Sequence, residues 1–176
     1  MMDIGKIHTM INVLYADNFW NGRNNQYMYN VLSVADYILD YCGSHGRAIT
    51  NFKLNGMLYF VQAEFLVGTK YHRPCFSDSI EAWDCGVVIP KVHSHYSMFG
   101  AGIIIPKKND VLKPYYEKIS AEDKERIDSV LKEVLGYYTE TDFRRLICSQ
   151  KPWKEAHREG LRKKISNESI YEYFKE

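Results

Sequence analysis

Apolar residues recur at helical spacing through most of this chain. Between positions 49 and 67, Leu54, Leu58, Val61 and Phe65 fall at i, i+4, i+7 and i+11, the spacing of one buried helix face. Met57, Tyr59 and Phe60 occupy other faces, so this central helix is expected to be covered on more than one side. Thr50 or Asn51 can offer a side-chain oxygen to the free N–H groups at its start, and Gly68 breaks it. Upstream, Val31, Val34, Ala35, Ile38, Leu39 and Cys42 mark an amphipathic helix stopped by Gly43 and Gly46. Ile7, Met10, Ile11 and Leu14 predict a short helix near residues 4–16, followed by a polar, Asn- and Gly-rich break at 18–26. This first segment reads either as a helix packed on the domain or as an added partner-binding arm.

Downstream, Ser120 with Asp123 forms a capping pattern before a helix whose Ile127, Val130, Leu131, Val134 and Leu135 share a face, ending about Gly136. Thr139 or Thr141 caps another helix carrying Phe143, Leu146 and Ile147. Pro152 suits a helix's first turn, where a missing N–H costs nothing, and Gly160 suits its stop. Asn167 is expected to cap a last short helix with Ile170, Tyr173 and Phe174 inward. From 68 to 106 the pattern is mostly turns, with short strands at 86–89 and 102–105; the latter run, GIIIP, is β-branched and too short for a helix. Trp83, Gly86 and Pro90 are the fixed points of a rigid aromatic turn. No repeat, linker or low-complexity tract interrupts the chain. The prediction is a mainly α protein, a single compact helical domain built around the central apolar helix, with a short irregular or β segment near residues 80–105.

Composition changes this picture little. At 176 residues the chain suits one domain with a real core. A net charge of +1 gives no global electrostatic drive toward nucleic acid, and no apolar run is long enough to span a membrane. The start lacks a secretory pattern, which with the scattered Cys42, Cys75, Cys85 and Cys148 leads us to expect a cytoplasmic protein with reduced thiols. The basic residues Arg144, Arg145, Lys151, Lys154, Arg158 and the run Arg162, Lys163, Lys164 interleave with acids and read as a solvated helical surface rather than a nucleic-acid contact. The 14 tyrosines exceed what a small core needs and favour a protein-binding surface, since tyrosine gives rigid, amphipathic contact area.

Candidate chemistry is sparse. His72, Cys75, Cys85, His93 and His95 crowd one window, and zinc takes imidazole and thiolate together. The close ligand pairs of zinc sites are missing, however, and His93 and His95 can ligate together only on an extended segment. No nucleophile elbow or phosphate-cradling glycine loop is present, which leaves a hydrolase or nucleotide-binding role with little support. We therefore expect no catalytic residue, no cofactor, no metal and no small-molecule substrate.

The residues Lys53-Leu54, Met57-Leu58-Tyr59-Phe60, Gln62, Phe76 and Ile80-Glu81-Ala82-Trp83 stand in a specific order, followed by Gly86-Val87-Val88, Pro90 and Val92. Pro152-Trp153-Lys154, Ala156, Gly160, Ile170 and Tyr173-Phe174 complete the set. In this it resembles the Panacea-domain family, the SocA-like and often phage-associated antitoxins, over roughly Met28 to the end. The resemblance divides the chain into an N-terminal extension, 1–27, and a Panacea-like domain, 28–176. Gly56 stands where the family usually has a second lysine, Val87 where it has proline, and Ile147-Cys148 where it often has Thr-His; this is a divergent member.

What the resemblance implies is a helical antitoxin, not an enzyme, that neutralises a toxin encoded nearby by direct protein contact. Its alternatives are an adaptor delivering the toxin to a Clp protease, a phage protein binding a host defence factor, and, last, a zinc-dependent hydrolase. Lys53, Tyr59, Gln62, Trp83, Pro90 and Trp153 are the candidate site residues, as partner-binding or turn-fixing groups. On one reading Lys53, Tyr59 and Gln62 line a groove beside Trp83. On the other, Lys53 and Gln62 hydrogen-bond the backbone of the turn around Trp83 and Pro90. Trp83 and Trp153 are expected to be core pins rather than exposed anchors.

Overall fold

The structure, a computed structural model, describes residues 28–70, 73–105, 119–135, 139–159 and 162–175. The predicted helix near 4–16 and the whole of the 1–27 extension lie outside these residues, as do His72, Gly136 and Gly160.

Helix α1 spans Val31–Ser44; the Asn30 side chain caps it by accepting from the Leu32 N–H. The left-handed residue after it is Gly46, whereas Gly43 is still helical. The central helix α2, Asn51–Gly68, starts at Thr50, whose hydroxyl oxygen accepts from the Lys53 N–H. From residue 54 to residue 66 every position of α2 is buried, so the helix is the axis of the core and not one of its walls. Then come β1 (Ile80–Trp83), β2 (Gly86–Val88) and α3 (Pro90–His95), with a single 3-10 turn at Ser97–Phe99. Helices α4 (Ala121–Leu135), α5 (Glu140–Ser149) and α6 (Lys151–Glu159) follow. Strand β3 (Lys163–Ile165) and helix α7 (Asn167–Phe174) close the chain. Thus α1, α3, α4, α5, α7 and β2 all pack on α2. Its Leu54, Leu58, Phe60 and Phe65 are fully buried, each contributing roughly 1.5–3 kcal/mol of apolar burial.

The mainly helical fold agrees with the sequence pattern, and several local expectations do not. The three strands form one antiparallel sheet, ordered β2-β1-β3, with Trp83 opposite Gly86 and Ile80 opposite Ile165. Lys163 and Lys164 therefore lie on an edge strand rather than on a helical surface. The 102–105 run is no strand: it makes one bridge, Ile103 to Thr50, and Ile103 and Ile105 are 54% and 70% exposed while Ile104 is buried. His93 and His95 sit on α3, which Pro90 can begin because the first turn of a helix needs no N–H there. The cap of α7 is Ser166, not Asn167, because the Asn167 side chain is taken up by Gln62.

Four of the described tyrosines have roles inside the fold. Tyr29, Tyr37 and Tyr96 donate their hydroxyls to Asp123, Asp128 and Asp36, tying distant elements together, while Tyr59 is wholly buried. Tyr29, Tyr37 and Tyr96 thus serve as internal ties between elements.

Candidate protein-binding face

Three amide side chains on α2 set the geometry of the β1–β2 region. Amides buried in an apolar helix must find partners, and these find backbone. Asn51 Nδ2 donates to the His93 carbonyl at 3.0 Å. Asn55 Nδ2 donates back to Asn51, and its Oδ1 accepts the Ile89 N–H at 2.7 Å, the residue just before Pro90. Gln62 Oε1 accepts from the N–H groups of Cys75 and Phe76, and its Nε2 donates to the Phe76 carbonyl and to Asn167 Oδ1. Gln62 is thus a turn-fixing residue, but for the segment entering β1; Asn55 and Asn51 hold the Pro90 turn. Tyr59 donates to Gln150 Oε1 at 2.8 Å from deep in the core. Tyr59 and Gln62 therefore line no groove beside Trp83. Sequence reasoning missed Asn51 and Asn55, whose signal was two amides one helical turn apart in an apolar segment.

Trp83, expected as a core pin, is partly exposed, whereas Trp153 is partly buried and packs against the core. Trp83 Nε1 donates to Glu81 Oε2 at 2.8 Å, which leaves the ring faces to other groups. Arg162 lies over the ring at 4.4 Å from its centroid, and the His93 ring is 5.3 Å away. Arg162 adopts a left-handed backbone (φ 59°) and its N–H bonds the Ala82 carbonyl at 3.0 Å. A non-glycine residue in that region carries strain of order 1–3 kcal/mol, offset here by the hydrogen bond and the ring contact. On α6, His157 stacks on Trp153 with centroids 4.4 Å apart, and His157 Nε2 lies 2.8 Å from Asp84 Oδ1 at the β1–β2 turn. The Trp153 Nε1 is buried with no hydrogen-bond partner among the described residues. These contacts form two clusters, Trp83 with His93 and Arg162, and Trp153 with His157 and Asp84, which meet in the chain at the β1–β2 turn, where Asp84 follows Trp83. Pro90 is the first residue of α3, the helix that carries His93. Lys53 joins neither cluster; it lines a separate cleft with Arg47 and Met57.

Among the described residues no three His, Cys, Asp or Glu side chains converge as metal ligands. Three of the cysteines, Cys42, Cys75 and Cys148, are poor nucleophiles for a physical reason. Burial pushes the Cys42 thiol up to about 11 and raises those of Cys75 and Cys148, so the thiolate is disfavoured at neutral pH. No described helix is long and apolar enough to cross a membrane.

A helical domain with an aromatic, cation-flanked face has the composition of a protein-binding module, because tryptophan and arginine concentrate in binding hot spots. The family model described as "Antitoxin SocA-like, Panacea domain" matches residues 54–154, more than half of the chain, and the protein belongs to that family. It is similar to "Antitoxin SocA" of Caulobacter vibrioides (strain NA1000 / CB15N), with 31% identity over 105 residues. That match covers 58% of this chain and 55% of the relative, so it spans about half the relative's length. No solved structure matches. Trp83, Pro90 and Trp153 fall inside the family match, whereas Lys53 precedes it and Arg162 follows it.

Proposed function

We propose that this protein is an antitoxin that neutralises a toxin encoded beside it by direct contact through the face around Trp83 and Trp153. The family supports the antitoxin role, and the observation that carries the contact is the pair of partly exposed tryptophans. Each is flanked by a cation or imidazole, and the amides of α2 hold the backbone segments before β1 and around Pro90, on either side of Trp83 in the chain. Preorganised rings lose little entropy on binding, so they gain more free energy per contact than mobile side chains do. The mechanism is steric: the face covers the toxin's acting surface over roughly 1,200–2,000 Å² in total, without turnover. Trp83 and Trp153 are partner-contacting residues, and Pro90, Tyr59 and Gln62 position them.

The test is bacterial growth with the neighbouring reading frame induced alone and together with this protein. Toxicity alone and rescue together support the reading. A toxic neighbour that is not rescued contradicts it. Rescue that requires an intact Clp protease would assign the adaptor role instead. A harmless neighbour would redirect the search to a host defence factor.

A further inference from the structure

The β1–β2 turn and α5 bring two cysteines together. Cys85 ends the turn, next to Asp84 and immediately before β2, and Cys148 lies near the end of α5, which packs on β2. Gly86 seats the turn at this place. Its φ of 132° suits glycine, and a Cβ there would come within 3.1 Å of the Phe52 ring. The Arg144 guanidinium lies over the same ring, 5.1 Å from its centroid, and Cys148 follows Arg144 by one helical turn on the same side of α5. Burial raises the Cys148 thiol most; the Arg144 cation opposes this, and Cys85 is close enough to add to it through its charge. Cys85 and Cys148 are free thiols and partly exposed, whereas Cys42 and Cys75 are enclosed in the core.

We propose that Cys85 and Cys148 are an oxidation site, which a hydroperoxide closes into a reversible disulfide that ties the β1–β2 turn to α5. Oxidation-sensing cysteines are accessible thiols with a second thiol poised beside them. Burial disfavours the Cys148 thiolate, so Cys85 meets the oxidant first. With hydrogen peroxide, the Cys85 sulfur attacks one oxygen, the O–O bond breaks, and the thiol proton leaves with the other oxygen as water. Cys85 is then a sulfenic acid. The Cys148 sulfur attacks the Cys85 sulfur, the S–O bond breaks, and the departing hydroxide takes the Cys148 proton as a second water. The thiols have lost two electrons and the peroxide has gained them. Closeness offsets the low thiolate content of Cys148, since this second step is intramolecular. Trp83 and Asp84 are the two residues before Cys85, so the bond acts on that part of the proposed binding face. An effect on partner binding rests on the antitoxin reading; the disulfide itself does not.

The experiment treats the full chain, reduced and freed of reductant, with hydrogen peroxide. Remaining thiols are blocked with N-ethylmaleimide in denaturant, and unreduced peptides are mapped by mass spectrometry. The four thiols are expected to fall to two, with one internal link between the Cys85 and Cys148 peptides that glutathione undoes. At the same dose Cys148→Ser should carry a sulfenic acid at Cys85 that dimedone labels, and Cys85→Ser should show no label at Cys148. Four thiols left free overturn the proposal. So does a link to Cys42 or Cys75, a dimer in place of the internal link, or a link that glutathione cannot undo. Equal dimedone labelling of Cys148 in Cys85→Ser overturns the assignment of Cys85 as the first thiol. If a variant fails to fold, the peptide map of the unaltered protein decides alone. Failure of growth rescue while the link still forms would count against the antitoxin reading and leave the oxidation site standing.

Discussion

The two flanks of the central helix are packed by opposite means. Toward α5 and α7 the contacts are ring on ring, with Phe60 5.9 Å from Phe143 and 6.0 Å from Phe174, and Tyr59 5.9 Å from Phe174 between centroids. Toward α4 the same helix buries Glu64 against Arg126. Next to that pair, Asp123 of α4 binds Arg73 through two hydrogen bonds, of 2.5 and 3.0 Å, and accepts the Tyr29 hydroxyl. The aromatic flank is held by shape, so it tolerates changes of chemistry better than changes of volume. The charged flank has apolar packing too, with Ile127 and Leu131 of α4 in the core, but its charges are held by mutual neutralisation: losing one partner leaves another buried charge uncompensated, although losing all together need not.

The largest effect that separates the flanks is expected from Asp123→Ala. It strands Arg73 and the Tyr29 hydroxyl, and chemical denaturation should show a loss of roughly 3–5 kcal/mol. The same residue gives the charged flank a pH signature. Burial opposes ionisation of Asp123 most strongly, but hydrogen bonds from Arg73 and Tyr29 and the Arg73 charge hold its carboxyl below the usual range in the folded state. The unfolded carboxyl takes up its proton near pH ~3.9. The Asp123 contribution is therefore fully present above about pH 4 and is lost as pH falls through the lower folded value. Melting curves across acid pH should be flatter in Asp123→Asn than in the unaltered protein, while variants of the aromatic flank should keep the slope.

Next in size is Gly56→Ala on the aromatic flank. The added methyl group must displace the Phe143 ring, for an expected loss of about 1–3 kcal/mol. Restoring stability with a smaller residue, in Gly56→Ala with Phe143→Leu, would confirm that volume governs this side. Asn55→Ala belongs to neither flank: it leaves the buried Ile89 N–H without its acceptor, at a cost of about 1–3 kcal/mol. Partner binding should weaken with it, because Ile89 and Pro90 lead into α3, whose His93 lies against Trp83. The smallest effect is Arg145→Ala. Its ion pair with Asp142 is exposed, and a change within about 0.5 kcal/mol is expected in thermal melts.

The aromatic flank was far more legible in the sequence than the charged one. Leu54, Leu58, Val61 and Phe65, and later Phe143, Leu146 and Ile147, announce themselves by helical period, because one-faced burial imposes a repeat on the residue types. Ser120 and Thr139 were legible as caps for an equally local reason, a side chain three residues from the N–H it accepts. The Arg73–Asp123 pair joins positions 50 residues apart, and nothing in the local spacing signals it. Strand β3 was illegible because three residues carry no period, and Arg162, Lys163 and Lys164 read as one solvated run. Trp83 is legible as a fixed point, but its sequence neighbourhood points to the core. Trp83 is held partly outside it by the β1–β2 register and by contacts with His93 and Arg162, which depend on tertiary placement.

The face around Trp83 is tested most directly by titrating the purified product of the neighbouring reading frame into this protein and into Trp83→Ala by calorimetry, with matched melting temperatures as the control. We predict tight binding to the unaltered chain and a loss of at least ~2 kcal/mol, about 30-fold in affinity, for the variant. Equal affinity for the two proteins would contradict the account and place the interface elsewhere on the fold.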